Sequence, residues 1–147
     1  MTELRQAAAC LRVFGDDATP CEISQLLGAT PSKSWKKGEL WSNNGAGQLR
    51  DTGGWILNGR WDVFENINDQ IVDLLQMLTC NRQVWLDLAE RSHIDMYCGL
   101  FLDGRSGSSS LCPDTLAHLA ARRIVLNLEV YEREAGRGLM SSPLPHR

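Results

Sequence analysis

Apolar residues recur along the chain with two periods, one suited to strands and one to helices. Residues 7–14 are apolar apart from Arg12 and run into Gly15-Asp16-Asp17, which predicts a largely buried strand ending in a turn. Thr19-Pro20-Cys21-Glu22 then reads as a capping box: Thr19 as N-cap, Pro20 at the first helical position, and Glu22 three residues after the cap. Ile23, Leu26 and Leu27 follow at helical spacing, and Gly28 stands where a left-handed residue would close the helix. Ile67, Ile71, Leu74, Leu75 and Leu78 form a broad helical stripe, with Asp69, Asp73 and Gln76 expected on the wet face. A further helix over residues 82–90 points Trp85 and Leu88 inward.

Residues 93–102 read as another strand, followed by a polar loop and by Pro113 at a second helix start, with Leu116, Leu119 and Ala120 as the buried stripe. Residues 124–131 alternate, placing Ile124, Leu126, Leu128 and Val130 on one face and Asn127 and Glu129 on the other, wet face. Between the first helix and the long one, residues 31–60 are polar and glycine-rich. There Asn43-Asn44-Gly45 offers a hairpin turn, and two or three short strands are expected, residues 54–57 the clearest. Strand, polar loop and proline-started helix occur at residues 11–27 and again at 100–119, a pattern open to an internal duplication or to coincidence.

These elements predict an α+β fold: a small mixed or antiparallel sheet of about four to six strands with helices packed mainly on one face. With 147 residues and 43% hydrophobic content, one core is expected over residues 1–133. Residues 134–147, rich in Gly, Ser, Pro and Arg, read as a flexible tail. A net charge of -3 argues against nucleic acid as a partner. The opening MTELRQAAAC lacks a signal-like apolar segment and no run is long enough to span a bilayer, so a cytoplasmic protein without membrane attachment is expected. Cys10, Cys21, Cys80, Cys98 and Cys112 are odd in number and lack CxxC spacing, which suggests reduced thiols.

The stretch GDDATPCEISQLLGATP at residues 15–31, the Lys37-Gly38 pair, Trp55 in a predicted strand and the closing LNLEVY at residues 126–131 resemble a family of uncharacterised bacterial proteins, domain of unknown function 4279. These landmarks span nearly the whole chain up to the tail. The resemblance implies an α+β fold and, because the family has no established activity, no reaction.

Candidate chemistry is sparse. The Gly/Ser loop at residues 104–110 lies between a strand and a helix start, where backbone N–H groups and Arg105 could meet an anion, but it lacks the G-K-[ST] ending of a Walker loop. Asp16, Asp17 and Asp103 follow strands and could gather for a hard cation, although aspartates are also ordinary turn formers. His93 and Cys98 fall on opposite faces of one strand, His118 sits at the edge of a helical stripe and His146 in the tail, so no nucleophilic triad assembles. No catalytic residue, cofactor or metal ligand is therefore assigned.

The least bland feature is the set Trp35, Trp41, Trp55 and Trp61 interleaved with Lys33, Lys36, Lys37, Arg50 and Arg60. Rigid rings beside cations suit a binding surface; equally, two or more of the rings could plug the core and leave the lysines as a solvated rim. The function expected is a non-enzymatic binding or protein-interaction module, immunity-like or regulatory, using Trp35, Lys37, Trp41, Arg60 and Trp61. The alternative is a small-molecule or anion-binding enzyme built on the loop at residues 104–110 with Arg105.

Overall fold

A computed structural model describes residues 4–17, 19–41, 48–102 and 108–132. The strands are β1 (Leu4–Gly15), β2 (Lys33–Trp35), β3 (Leu40–Trp41), β4 (Gln48–Leu49), β5 (Gly53–Asn58), β6 (His93–Leu102) and β7 (Val125–Glu132). The helices are α1 (Pro20–Leu27), α2 (Ile67–Met77), α3 (Arg82–Arg91) and α4 (Pro113–Ala121). Five strands form one mixed sheet in the order β2-β5-β1-β6-β7, while β3 and β4 make a separate two-stranded ribbon. β1 is antiparallel to both β5 and β6, β2 is antiparallel to β5, and β7 runs parallel to β6. The fold is thus α+β.

Stripped of the ribbon, the elements from β1 to β6 trace strand-helix-strand-strand-helix-helix-strand with the sheet order β2-β5-β1-β6, the split β-α-β arrangement with a second helix, α3, in its second crossover. α4 and β7 extend it by one parallel crossover. The two strand-helix units seen in the sequence are β1-α1 and β6-α4; β7 lies next to β6, whereas β5 separates β2 from β1.

Alternation decides which face of the sheet each residue joins. Ala7, Ala9, Leu11 and Val13 of β1, Trp55 and Leu57 of β5, and Ile94, Met96 and Cys98 of β6 share one face. The buried apolar residues of all four helices, among them Ile23, Leu27, Ile71, Leu74, Trp85, Leu88 and Leu119, join the same cluster. Each large side chain fully buried there contributes about 1.5–3 kcal/mol. Trp55 and Trp85 satisfy their indole N–H groups on Ser24 Oγ and the Thr79 carbonyl, so neither ring buries an unpaired donor.

One polar side chain enters this layer because the sheet needs it. β5 pairs with β1 only as far as Cys10, leaving the edge at Ala7 and Ala9 without a strand. Gln70 of α2 takes the strand's place. Its carbonyl accepts the Ala9 N–H at 2.9 Å, and its amide donates to the Ala7 and Phe64 carbonyls at 2.6 and 2.9 Å. Buried backbone groups left without partners would be costly, which accounts for a fully buried glutamine on the apolar side of a helix.

Several expectations from sequence are corrected. Thr19 is the N-cap residue of α1 but its side chain makes no capping bond, and Glu22 pairs instead with Arg91 at 2.7 Å. Asp73 is buried against Arg60 rather than wet. In α4 the buried positions are Thr115 and Leu119, while Leu116 and Ala120 face outward, since the helix covers only the margin of the sheet. Leu128 and Val130 are exposed because β7 is an edge strand. Residues 31–60 hold four short strands instead of two or three. Gly28 does close α1 in the left-handed conformation, with φ 76°. Asn43-Asn44-Gly45, Asp103 and the tail at residues 134–147 lie outside the described residues. Among the described residues, no helix is long and apolar enough to cross a membrane.

Candidate functional site

Among the described residues, no helix lies on the opposite face of the sheet, and that face is built from the complementary positions of the same strands. Arg12 of β1 stands opposite Asp95 of β6, and Cys10 opposite Tyr97. β6 in turn faces Asn127, Glu129 and Tyr131 of β7 across the parallel ladder. At the other side Phe14 lies opposite Gly54 of β5, and Gly54 opposite Trp35 of β2.

Arg12 grips Asp95 through two parallel bonds, Nε to Oδ1 at 2.8 Å and Nη2 to Oδ2 at 2.6 Å, the strongest geometry open to this pair. Asn127 adds a third donor to Asp95 at 2.6 Å. The guanidinium also lies over the Tyr97 ring, 4.5 Å from its centroid, and 5.2 Å from that of Phe14. With side chains only 11% and 2% exposed, Arg12 and Asp95 are a desolvated pair, which survives only when hydrogen bonds satisfy both partners. Burial alone would lower the Arg12 pKa, but the bonds and charge of Asp95 hold it above the usual value.

Next along the face, the Tyr97 hydroxyl meets the Glu129 carboxylate at 2.5 Å and the Tyr131 hydroxyl at 2.6 Å, while Tyr131 stacks on Phe101 with ring centroids 4.8 Å apart. Burial, then the bonds to Glu129 and Tyr131, raise the Tyr97 pKa and keep the phenol protonated. Tyr131 is raised as well, chiefly by burial. Cys10, under the same network, is pushed up to about 12 by burial, so its thiol is no nucleophile at neutral pH. The polar atoms of this face are therefore spent on one another. Among the described residues the face holds most of its protons and charges in place, while the exposed His93 of β6 brings Nε2 to 3.9 Å from Asp95 Oδ2. Among the described residues, no three His, Cys, Asp or Glu side chains converge as a metal site.

Of the residues singled out in the sequence, Trp35 belongs to this face. Its ring lies flat on Gly54, where an added Cβ would come within 2.3 Å of it, and its indole N–H donates to the Thr52 carbonyl at 2.8 Å. Arg50 and Lys33 lie 4.2 and 5.6 Å from the Trp35 ring centroid. Lys37 occupies the turn leading to β3 and pairs with Asp16 at 3.1 Å. Trp41 lies in β3, and its side chain is outside the described residues. Arg60 and Trp61 sit beyond the other end of β5, where both arms of Arg60 hold Asp73 at 2.6 and 2.9 Å and Trp61 is exposed. Arg105 lies outside the described residues. The predicted set is thus divided, with Trp35 and Lys37 at one end of β5 and Arg60 and Trp61 at the other.

Sequence reading passed over Arg12, Asp95, Tyr97, Asn127 and Tyr131. Their signal was the lone arginine inside an apolar run and the polar residues recurring every second position in β6 and β7. It also passed over Leu40 and Leu49. These two residues pair directly across the β3-β4 ribbon and are 60% and 61% exposed.

Neither a curated protein nor a solved structure matches the chain. A family model described as a domain of unknown function matches residues 3–133. That match covers every described strand and helix, and the chain accordingly belongs to the family known as domain of unknown function 4279.

Proposed function

We propose that this domain is a non-enzymatic protein-interaction module of the cytoplasm, and that the β3-β4 ribbon with its flanking cations is the element that meets the partner. One observation carries the reading: Leu40 and Leu49, cross-strand neighbours on a two-stranded ribbon, are both mostly exposed. An isolated pair of two-residue strands is marginal in water, and adjacent exposed leucines on it gain most when a second protein covers them. Lys36, Lys37 and Glu39 precede the ribbon and Arg50 and Asp51 follow it, so an apolar centre is rimmed by charges of both signs. The partner's matching surface is an apolar patch bordered by polar groups that can meet both signs of charge. Support also comes from the helix-free face, where Arg12, Asp95, Tyr97 and Glu129 are committed to internal bonds instead of to chemistry.

The test begins with a photo-crosslinking residue in place of Leu40 in the native host, which identifies the partner. Binding of the purified pair is then measured for the parent and for Leu40→Ser/Leu49→Ser. The double variant is expected to melt at the parent's temperature and to bind at least about 30-fold more weakly, the loss of a buried apolar anchor. Lys37→Ala should give a smaller loss that shrinks further at high salt. Unchanged affinity in the double variant would exclude the ribbon as the contact.

A further inference from the structure

The two edges of the main sheet are built differently. The β2 edge is three residues long, contains Lys33 and is followed by Lys36 and Lys37. Short length and lysines are the usual devices that keep an edge from pairing with another chain. The β7 edge has neither. It runs for eight residues, from Val125 to Glu132, without lysine, proline or glycine, and among the described residues it pairs with β6 alone. Three of its apolar residues are uncovered, Val125 at 46%, Leu128 at 56% and Val130 at 58% exposure, while Leu126 packs against the core.

We propose that β7 is the contact between two copies of this chain, joined edge to edge as antiparallel strands about a two-fold axis. Charge selects the second copy as occupant. The strand opens after Arg122-Arg123 and runs into Glu132-Arg133-Glu134, which with Glu129 is net acidic in sequence, so antiparallel pairing sets the basic start of one copy toward the net acidic end of the other. A parallel arrangement would set like beside like.

The register follows from the same residues. A two-fold axis normal to the sheet keeps each residue on its own face, so only registers that pair residues of one face are allowed. Centring the axis at Glu129 would set that carboxylate against its own copy. With the axis at Leu128 that clash disappears. Leu128 then meets Leu128, Leu126 meets Val130, Asn127 meets Glu129, and Val125 meets Tyr131. The resulting ten-stranded sheet sets Leu128 and Val130 of one copy against Leu128 and Leu126 of the other and leaves the Tyr97–Glu129 bond intact within each.

Sedimentation of the full chain tests this directly. The parent is expected to be a dimer, and Leu128→Lys, at an exposed position, should raise the dimer dissociation constant at least about 30-fold with the circular dichroism spectrum unchanged. Brief oxidation of Leu128→Cys should link two copies through the axis, where opposed Cβ atoms stand about 5 Å apart. The parent, with its native thiols alone, should not link under the same conditions, and neither should Val125→Cys. Glu132→Lys should weaken the dimer and Glu132→Lys/Arg122→Glu/Arg123→Glu restore it. A parent that stays monomeric up to about 100 µM, or a dimer that survives Leu128→Lys, overturns the proposal.

Discussion

The two faces of the sheet solve the same packing problem with opposite chemistry. The helix-covered face is closed by apolar residues from β1, β5 and β6 and by one stripe from each helix, with Gln70 as its single buried amide. The helix-free face is closed by Arg12, Asp95, Asn127, Tyr97, Glu129 and Tyr131, bonded across three strands. A hydrophobic layer tolerates substitution by anything of the right size. A desolvated ionic network tolerates almost nothing unless both partners change together, because each member satisfies another. The same strand therefore carries adaptable positions at Leu11 and Val13 and a rigid one at Arg12.

The largest test of this contrast is Asp95→Leu. Leaving Arg12 buried without its carboxylate is expected to destabilise the domain by about 3–5 kcal/mol in urea unfolding, and Arg12→Met added to the same chain should recover most of that loss. If the double variant is no better than the single, the network matters for more than its own pairing. Gly54→Ala comes next: the new methyl meets the Trp35 ring, so that ring must lift or β2 must shift, at a cost of about 1–3 kcal/mol together with a change in tryptophan fluorescence.

The smallest effect compares one thiol from each face. Cys10 beneath the polar network and Cys98 in the apolar layer are both pushed by burial to about 12, whereas Cys21, Cys80 and Cys112 are exposed. A thiol reagent at neutral pH should consume the three exposed cysteines quickly and the other two only at the rate of opening. Raised acid pKa values mean that the unfolded thiols ionise first. Stability should therefore decline as pH climbs from the ordinary thiol value of 9.0 toward 12. Equal reaction of all five would show that both faces open freely.

The helix-covered face was legible in the sequence because its information is local. The helical stripe from Ile67, the glycine after Leu27 and the proline at residue 113 each announce their element within a few residues. The polar face was not legible for the converse reason. Arg12 and Asp95 are far apart along the chain, and so are Asp73 and its partner Arg60 at the scale of a helical turn; nothing in a window of residues distinguishes a charge awaiting a distant partner from one meant for water. Leu128 and Val130 misled in the other direction. Alternation marks which residues share a face, but whether a helix lies over that face depends on the strand's rank in the sheet, which only the assembled topology supplies.

The placement of β1 has a consequence for synthesis. Cys10 pairs on one side with Asn58 and on the other with Tyr97, so β1 lies between two strands that both follow it in the chain. β5 can close one edge of this apolar strand first, but the other stays open until β6 has left the ribosome, and both ladders join distant parts of the chain. Folding of the sheet is thus expected to be slow, and the nascent chain to be a natural client of chaperones that shield extended apolar segments.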